Sequence, residues 1–403
     1  MRLKRKRNIN SSSRRPYSFL RICEEVLPTK QSPRWIASYG FAGLAITHYS
    51  MLDNLQTYKQ YDKAGIAFGI ERLSEQVRIA WQQTRRIVVP KTYRNVDSVV
   101  LVGMGGSALG IHILVNALSD VIKKPVIVTR DYSLPGFVHS KTLVILSSFS
   151  GSTEEVLFAA REAKKRKAKM MAITTGSKLA AFAKREKMPV YQFEPGDLAK
   201  QPRLGVGFTL AGTLGLLQRA GLAKVIKKDI DAFVEAMNDV VDTCAMDIVA
   251  AKNPAKAVAL EMKGKSVLIV ASEHLAGNAH TMRNQICETA KQFAEYSEIP
   301  KLNHYLMEGL TYPKGHVGRM VVFMLRSSLY HKRNQKRYEI TAELFEKLGA
   351  TVVEYDAGGG SRFAEAGELL QFSTFLSYYM GILNKVNPVE IPYVDWFKGE
   401  MGK

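Results

Sequence analysis

Beyond residue 97 the chain switches repeatedly between two hydrophobic periods. Short apolar runs rich in Val, Ile and Leu read as strands: SVVLVGM (98–104), PVIVT (125–129), TLVILSS (142–148), KMMAIT (169–174) and PVYQF (189–193). These runs are continuous rather than alternating, the pattern of strands covered on both faces. Between them apolar residues recur at helical spacing. Strand–helix alternation predicts right-handed βαβ units and a parallel sheet. IAFGIERLSEQVRIAWQQT (66–84) predicts a helix ahead of this sheet, and residues 205–250 a helical connection after it. A second series follows, with strands at SVLIVAS (266–272), RMVVFML (319–325) and TVVEYDA (351–357), and helices around 277–296, 334–348 and 362–384. The fold class is therefore α/β, with two related open parallel layers. Residues 51–220 form the first unit, 221–255 a helical link and 256–403 the second.

Composition narrows the class. A 403-residue chain with 46% hydrophobic and 23% charged residues has enough apolar surface for two cores. Its formal net charge of +20 first suggests nucleic acid. Ten Lys/Arg against two Asp/Glu fall in the first fifty residues, however, and the remaining +12 is spread thinly. No nucleic-acid motif accompanies it, so anionic small molecules suit this surface as well. Cys23, Cys244 and Cys287 are far apart and odd in number, which fits a reducing cytoplasm and supplies neither a disulfide framework nor a zinc motif. Residues 35–52 lack charge but contain Ser, Thr, His and Tyr, too polar for a comfortable membrane span. Residues 1–50 read as a basic extension, disordered or upstream of the natural start.

Open parallel sheets bind ligands beyond the carboxyl ends of their strands. Two loops have the right composition at that edge. In VGMGGSALG, Gly103, Gly105, Gly106 and Ser107 follow a strand and open a helix, where glycine permits close approach and free N–H groups favour an anion. The same glycines would serve a tight turn or a dinucleotide fingerprint. The second loop, SSFSGSTEE, places Ser148, Ser150, Ser152 and Thr153 around Gly151 at the next helix start. An ordinary N-cap needs one hydroxyl, and this loop supplies four. Two anion-friendly loops on neighbouring strands point to a monophosphate pocket rather than a dinucleotide site.

GMGGSALG followed by SSFSGSTEEV resembles the sugar-isomerase (SIS) domain. With QPRLGVGFTL (201–210), NQICETAKQFAEYSEIPKLNHYLMEGL (284–310) and NPVEIPYVDWFKGEM (387–401), the chain resembles the bifunctional phosphoglucose/phosphomannose isomerase family, a group with two SIS domains. The resemblance runs from about Met51 to the end. It implies that Gly106 and Ser107 line the substrate, that Ser148, Ser150 and Thr153 hold its phosphate, and that Arg203 lies beside the sugar. It further implies Glu288 as base, His304, sixteen positions later, as the ring-opening histidine, and Lys398 as a C-terminal lysine of the site. The implied reaction is aldose–ketose isomerisation of glucose 6-phosphate and mannose 6-phosphate with fructose 6-phosphate. It needs neither cofactor nor metal, and its implied assembly is a homodimer in which the histidine crosses to the partner's site. Cys287, Tyr305 and Val389 replace the Asn, Asn and Thr usual in the family, which bears on substrate breadth.

These roles are chemically coherent. A carboxylate can move a proton between C1 and C2 through an enediolate, an arginine can hold the charge that develops, and a histidine titrates in the range needed to open a sugar ring. Each residue has a plainer use: a solvated helix carboxylate, a loop histidine, a lysine closing the last helix. A silent SIS-type sugar-phosphate regulator is the alternative function. Such regulators pair the fold with a DNA-binding module, and residues 1–97 contain no helix-turn-helix pattern. An isomerase half of a glucosamine-6-phosphate synthase would need an amidotransferase domain with an N-terminal cysteine, whereas this chain begins Met-Arg-Leu.

Overall fold

The computed structural model describes the backbone of Trp35–Ile36 and residues 50–402. The first sheet consists of β2 (Ser98–Gly103), β3 (Val126–Thr129), β4 (Thr142–Ser148), β5 (Lys169–Thr174) and β6 (Val190–Gln192), all parallel, after a two-residue β1 (Trp35–Ile36) that belongs elsewhere. Its order is β3-β2-β4-β5-β6. Both faces are buried, as the continuous apolar runs require. Along β2, Val99 and Leu101 enter one core, while Val100 and Val102 enter the other with Val156, Ala159 and Ala163 of the helix Glu154–Lys165. The expected helix over 66–84 is two helices, Ala67–Glu71 and Leu73–Thr84, which meet at Arg72.

The second sheet contains β7 (Ser266–Ser272), β8 (Ala294–Ile299), β9 (Met320–Ser327) and β10 (Thr351–Ala357) in the order β8-β7-β9-β10, with β1 antiparallel on the β10 edge. The four parallel strands repeat the crossover pattern of β3-β2-β4-β5. Trp35 and Ile36, within the segment expected to lie outside the fold, pair in register with Tyr355 and Glu354. The rest of residues 1–49 lies outside the described residues.

The structure corrects the helix anticipated over 277–296, which stops early and gives way to a strand, β8, that was not expected. The helix Ala276–Gln285 widens into a π turn over Ile286–Ala290, and Lys291 then adopts a left-handed φ of 53° that ends it. Residues 294–299 pair with β7 instead, so backbone pairing outweighs the helix-compatible Ala and Glu of that stretch. The two halves are joined by the helices Val206–Arg219 and Lys227–Cys244 and by the long helix Arg362–Leu383, buried from Phe363 to Leu383. Its polar residues are paired: Glu365 with His274, Glu368 with the Tyr355 hydroxyl and Thr374 with Gln285. At Gly381 this helix presses on the π turn, where a Cβ would stand 2.9 Å from the Thr289 carbonyl.

Candidate active site

The carboxyl ends of β2 and β4 carry the two loops singled out in the sequence, and a hydroxyl laces them together. Ser107 is buried, and its Oγ accepts from the Phe149 N–H at 2.8 Å, while the Ser147 hydroxyl donates to the Ser107 carbonyl at 3.0 Å. Ser107 therefore fixes the relative position of the loops. Gly105 has a φ of 49°, and Gly106 next to it begins the helix Gly106–Ala117. A Cβ on Gly106 would lie 2.5 Å from both the Pro202 carbonyl carbon and the Arg203 nitrogen. Only glycine lets the Arg203 segment come this close to the loop.

In the second loop, Gly151 takes a φ of 70°, and a Cβ there would meet the Gly176 carbonyl at 1.9 Å. Thr153 is the N-cap residue of Glu154–Lys165, yet its side chain makes no capping bond. Its hydroxyl pairs instead with Ser148 Oγ at 2.7 Å. Ser150 is exposed, and its Oγ accepts from the Ser152 N–H at 3.2 Å. The hydroxyl cluster is thus not spent on capping. Its O–H groups stand at a helix N-terminus followed by Glu154 and Glu155, an arrangement suited to an anion.

Arg203 reaches from the first half into the second. It is 2% exposed, lies in the short turn Pro202–Leu204 and donates through Nη2 to the carbonyls of Pro388 and Val389 at 2.7 and 2.8 Å. Its Nη1 is 3.6 Å from Glu288 Oε2. Burial lowers the Arg203 pKa, with Glu288 and Asp395 opposing the shift, and a guanidinium remains charged at any working pH. Glu288 projects from the π turn, a distortion frequent at functional sites. Burial raises its pKa, against the opposing charges of Arg203, Lys398 and Lys291. This carboxylate is therefore held beside fixed cations in a partly dry place, as a base needs.

Lys398 lies on the helix Pro392–Met401, whose residues are all exposed, close enough for its charge to act on Glu288. His304 does not join the others within one chain. It is exposed on the short helix Lys301–His304, beyond the carboxyl end of β8, while Glu288 precedes the amino end of that strand. Six strand residues span on the order of 20 Å, too far for both to touch one sugar phosphate. The structure thus gathers Gly106, Ser107, Arg203 and Glu288 with Lys398 nearby, and leaves His304 at the opposite end of β8.

Sequence reasoning passed over Lys291. Its Nζ donates to the carbonyl of Thr289 at 3.4 Å and to that of Asn387. The signal was a cation three positions after Glu288. Its use depended on a left-handed turn that no periodicity announces. Among the described residues no group of three or more His, Cys, Asp or Glu side chains could hold a metal ion.

The family profile described as SIS domain matches residues 92–189, and the one described as bacterial phospho-glucose isomerase C-terminal SIS domain matches residues 251–401. A bifunctional phosphoglucose/phosphomannose isomerase of Caldicellulosiruptor bescii is 33% identical over 83% of this chain and 98% of its own length. One from Aquifex aeolicus is 27% identical over 80% and 94%. Among solved structures, a hypothetical protein of Thermus thermophilus superposes with a TM-score of 0.65 at 18% identity, covering 89% of this chain and 94% of its own; this likeness concerns the fold alone. With two SIS domains in sequence and in structure, and a relative aligned over nearly its whole length, the chain belongs to the bifunctional phosphoglucose/phosphomannose isomerase family.

Proposed function

We propose that the protein is an aldose–ketose isomerase that interconverts glucose 6-phosphate, and mannose 6-phosphate as well, with fructose 6-phosphate. The observation that carries this reading is the approach of Arg203 Nη1 to Glu288 Oε2 at 3.6 Å, beside the glycine loop at Gly106. The phosphate is assigned to the hydroxyls of Ser148, Ser150 and Thr153, and the sugar to the space bounded by Gly106, Ser107 and Arg203. Glu288 takes the proton from C2 or C1 and returns it to the neighbouring carbon. The enediolate between those steps carries negative charge, and the buried guanidinium faces it with no reorganisation. Lys398 adds a second cation.

Ring opening requires an acid–base group at the ring oxygen, the role given to His304. Its place across β8 from Glu288 supports a homodimer in which each histidine serves the other subunit's site. The chain divides for this purpose into units 51–220 and 256–403 with the link 221–255. The setting proposed is the cytoplasm; no helix among the described residues is long and apolar enough to cross a membrane. Neither nucleic acid nor a cofactor has a part in this scheme. Cys287, Tyr305 and Val389 lie next to the groups assigned here and make the balance between glucose and mannose epimers a property to measure.

Purified protein supplied with fructose 6-phosphate, with glucose 6-phosphate and mannose 6-phosphate followed by separate coupling enzymes, tests the proposal. Formation of both aldoses is expected. Formation of glucose 6-phosphate alone would restrict the substrate range, and formation of neither would refute the activity.

A further inference from the structure

The segment Asn387–Val389 is an irregular strap between the long buried helix and the exposed C-terminal helix. Cations bind three consecutive carbonyls of this strap. Lys291 Nζ donates to that of Asn387, and Arg203 Nη2 to those of Pro388 and Val389 at 2.7 and 2.8 Å. The strap also folds on itself: Asn387 Oδ1 accepts from the Val389 N–H at 2.9 Å, and Asn387 Nδ2 donates to Glu390 at 2.7 Å. Just before it, Asn384 Nδ2 donates to the Ala290 carbonyl at 2.9 Å and so ties the end of the helix to the π turn.

Lys291 occupies the hinge of this arrangement. It ends the π turn that presents Glu288, in a left-handed conformation with a φ of 53° that a non-glycine residue rarely keeps without compensation. That conformation turns the side chain back over its own turn, so that Nζ bonds to Thr289 within the turn and to Asn387 outside it. We infer that Lys291 is a positioning residue of the same site, which locks the Glu288 turn to the 387–389 strap and, with Arg203, keeps the Glu288 carboxylate aimed at the substrate. This rests on the assignment of Glu288 as the base.

The charged groups acting on Lys291 are Arg203, Glu390 and Glu288, and those acting on Glu288 are Arg203, Lys398 and Lys291; Asp395 acts on Arg203, and Cys287 adjoins on the turn. Although part of its side chain is exposed, desolvation of the ammonium, then the charge of Arg203, bring Lys291 down to about 8, with Glu390 and Glu288 opposing. Lys291 thus loses its proton near the upper end of the physiological range. Below that point its charge helps Arg203 and Lys398 restrain the upward pull of burial on Glu288.

The test compares full-length Lys291→Met and Lys291→Arg with the wild type, measuring kcat and KM for fructose 6-phosphate across pH, with Glu288→Gln alongside. Lys291→Met should lower kcat by about 10–100-fold, the scale of a misplaced reacting group, with KM changed far less. The acidic limb of its kcat/KM profile should move to higher pH, because Glu288 has lost a neighbouring cation. Lys291→Arg should recover most of kcat and carry the alkaline limb upward, since a guanidinium does not deprotonate there. A Lys291→Met enzyme with wild-type kcat and profile overturns the inference. So does Lys291→Arg that is as slow as Lys291→Met with unmoved limbs, the behaviour of a merely structural contact. Should Lys291→Met fail to fold, the limbs of Lys291→Arg decide. If Glu288→Gln keeps its turnover, the base assignment has failed; if it is inactive while Lys291→Met is normal, only the role of Lys291 has.

Discussion

Arg203 and Glu288, 85 positions apart in sequence, meet at 3.6 Å where the two α/β units adjoin. The guanidinium is almost wholly buried and donates to the Pro388 and Val389 carbonyls and, through Nε, to the Thr289 hydroxyl, so its position is set by the fold rather than by the carboxylate. Lysine at 203 could not span those carbonyls and also face Glu288. Arg203→Lys should therefore reduce kcat for fructose 6-phosphate by about 100-fold or more, the cost of removing one preorganised donor. Steady-state kinetics at saturating substrate checks this.

Gly106→Ala probes the same approach from the opposite side. The added methyl would stand 2.5 Å from backbone atoms of Pro202 and Arg203, and backbone cannot yield as a side-chain tip can. Overpacking of this kind costs about 1–3 kcal/mol. The expected result is a lower melting temperature together with reduced kcat, because the shift is transmitted directly to Arg203. Unchanged kcat would mean that Arg203 is not confined by this contact.

The hydroxyl loop calls for a different kinetic signature. Ser150 is exposed near a helix N-terminus and is assigned to the phosphate, away from the reacting carbons, so Ser150→Ala should weaken substrate binding with little change in kcat. A hydrogen bond to a charged group is worth about 1.5–3 kcal/mol, which sets a rise in KM of roughly 10–100-fold. Thr153→Ala should do the same and also release Ser148, its partner at 2.7 Å.

The opposed positions of Glu288 and His304 about β8 make a prediction about assembly. Glu288→Gln and His304→Ala chains should each be inactive alone. Unfolded together and refolded as mixed dimers, they should regain activity, up to about a quarter of wild type, because half the dimers are hybrids with one intact site. Absence of recovery, with dimers present in sedimentation, would place His304 outside the partner's site.

A buried carboxylate away from the site governs stability. Glu368 lies in the core beside the Tyr355 hydroxyl and the Gly358 N–H, and burial pushes its pKa up to about 7 from an ordinary 4.5. Between those values the folded chain binds more protons than the unfolded one, so stability falls as pH rises through this window and is lowest, for this group, above it. The full effect is about 3 kcal/mol at most, at ~1.4 kcal/mol per pKa unit. Thermal melts at pH 5 and pH 8 should show a smaller decline for Glu368→Gln than for the wild type.

Much of the architecture was legible because strands covered on both faces leave long apolar runs; β4, β5, β7 and β10 begin and end where those runs do. Strand β8 was not, since Ala294, Glu295 and Glu298 suit a helix and only pairing with β7 decides otherwise. The π turn and the left-handed Lys291 are likewise tertiary in origin, which hid the lysine's contacts. The hydroxyl loop was conspicuous by composition alone. Arg203 was not: nothing in QPRLG separates it from a surface arginine, and its burial depends on the glycine at 106 and the carbonyls at 388 and 389. Ser107, expected to line the substrate, also accepts the Phe149 N–H that joins the two loops.

The central claim is that Glu288 carries the proton between C1 and C2. Incorporation of deuterium from heavy water into the sugar phosphate, followed by NMR with wild-type and Glu288→Gln enzymes, tests it directly, since an enediolate route exchanges that hydrogen with solvent whenever the base releases it. The wild type should incorporate deuterium at C1 or C2 as it isomerises. Glu288→Gln should bind fructose 6-phosphate with near-normal affinity yet lose both exchange and turnover by roughly 10²–10⁴-fold or more. Exchange at the wild-type rate in Glu288→Gln would contradict the account and assign the proton to another group.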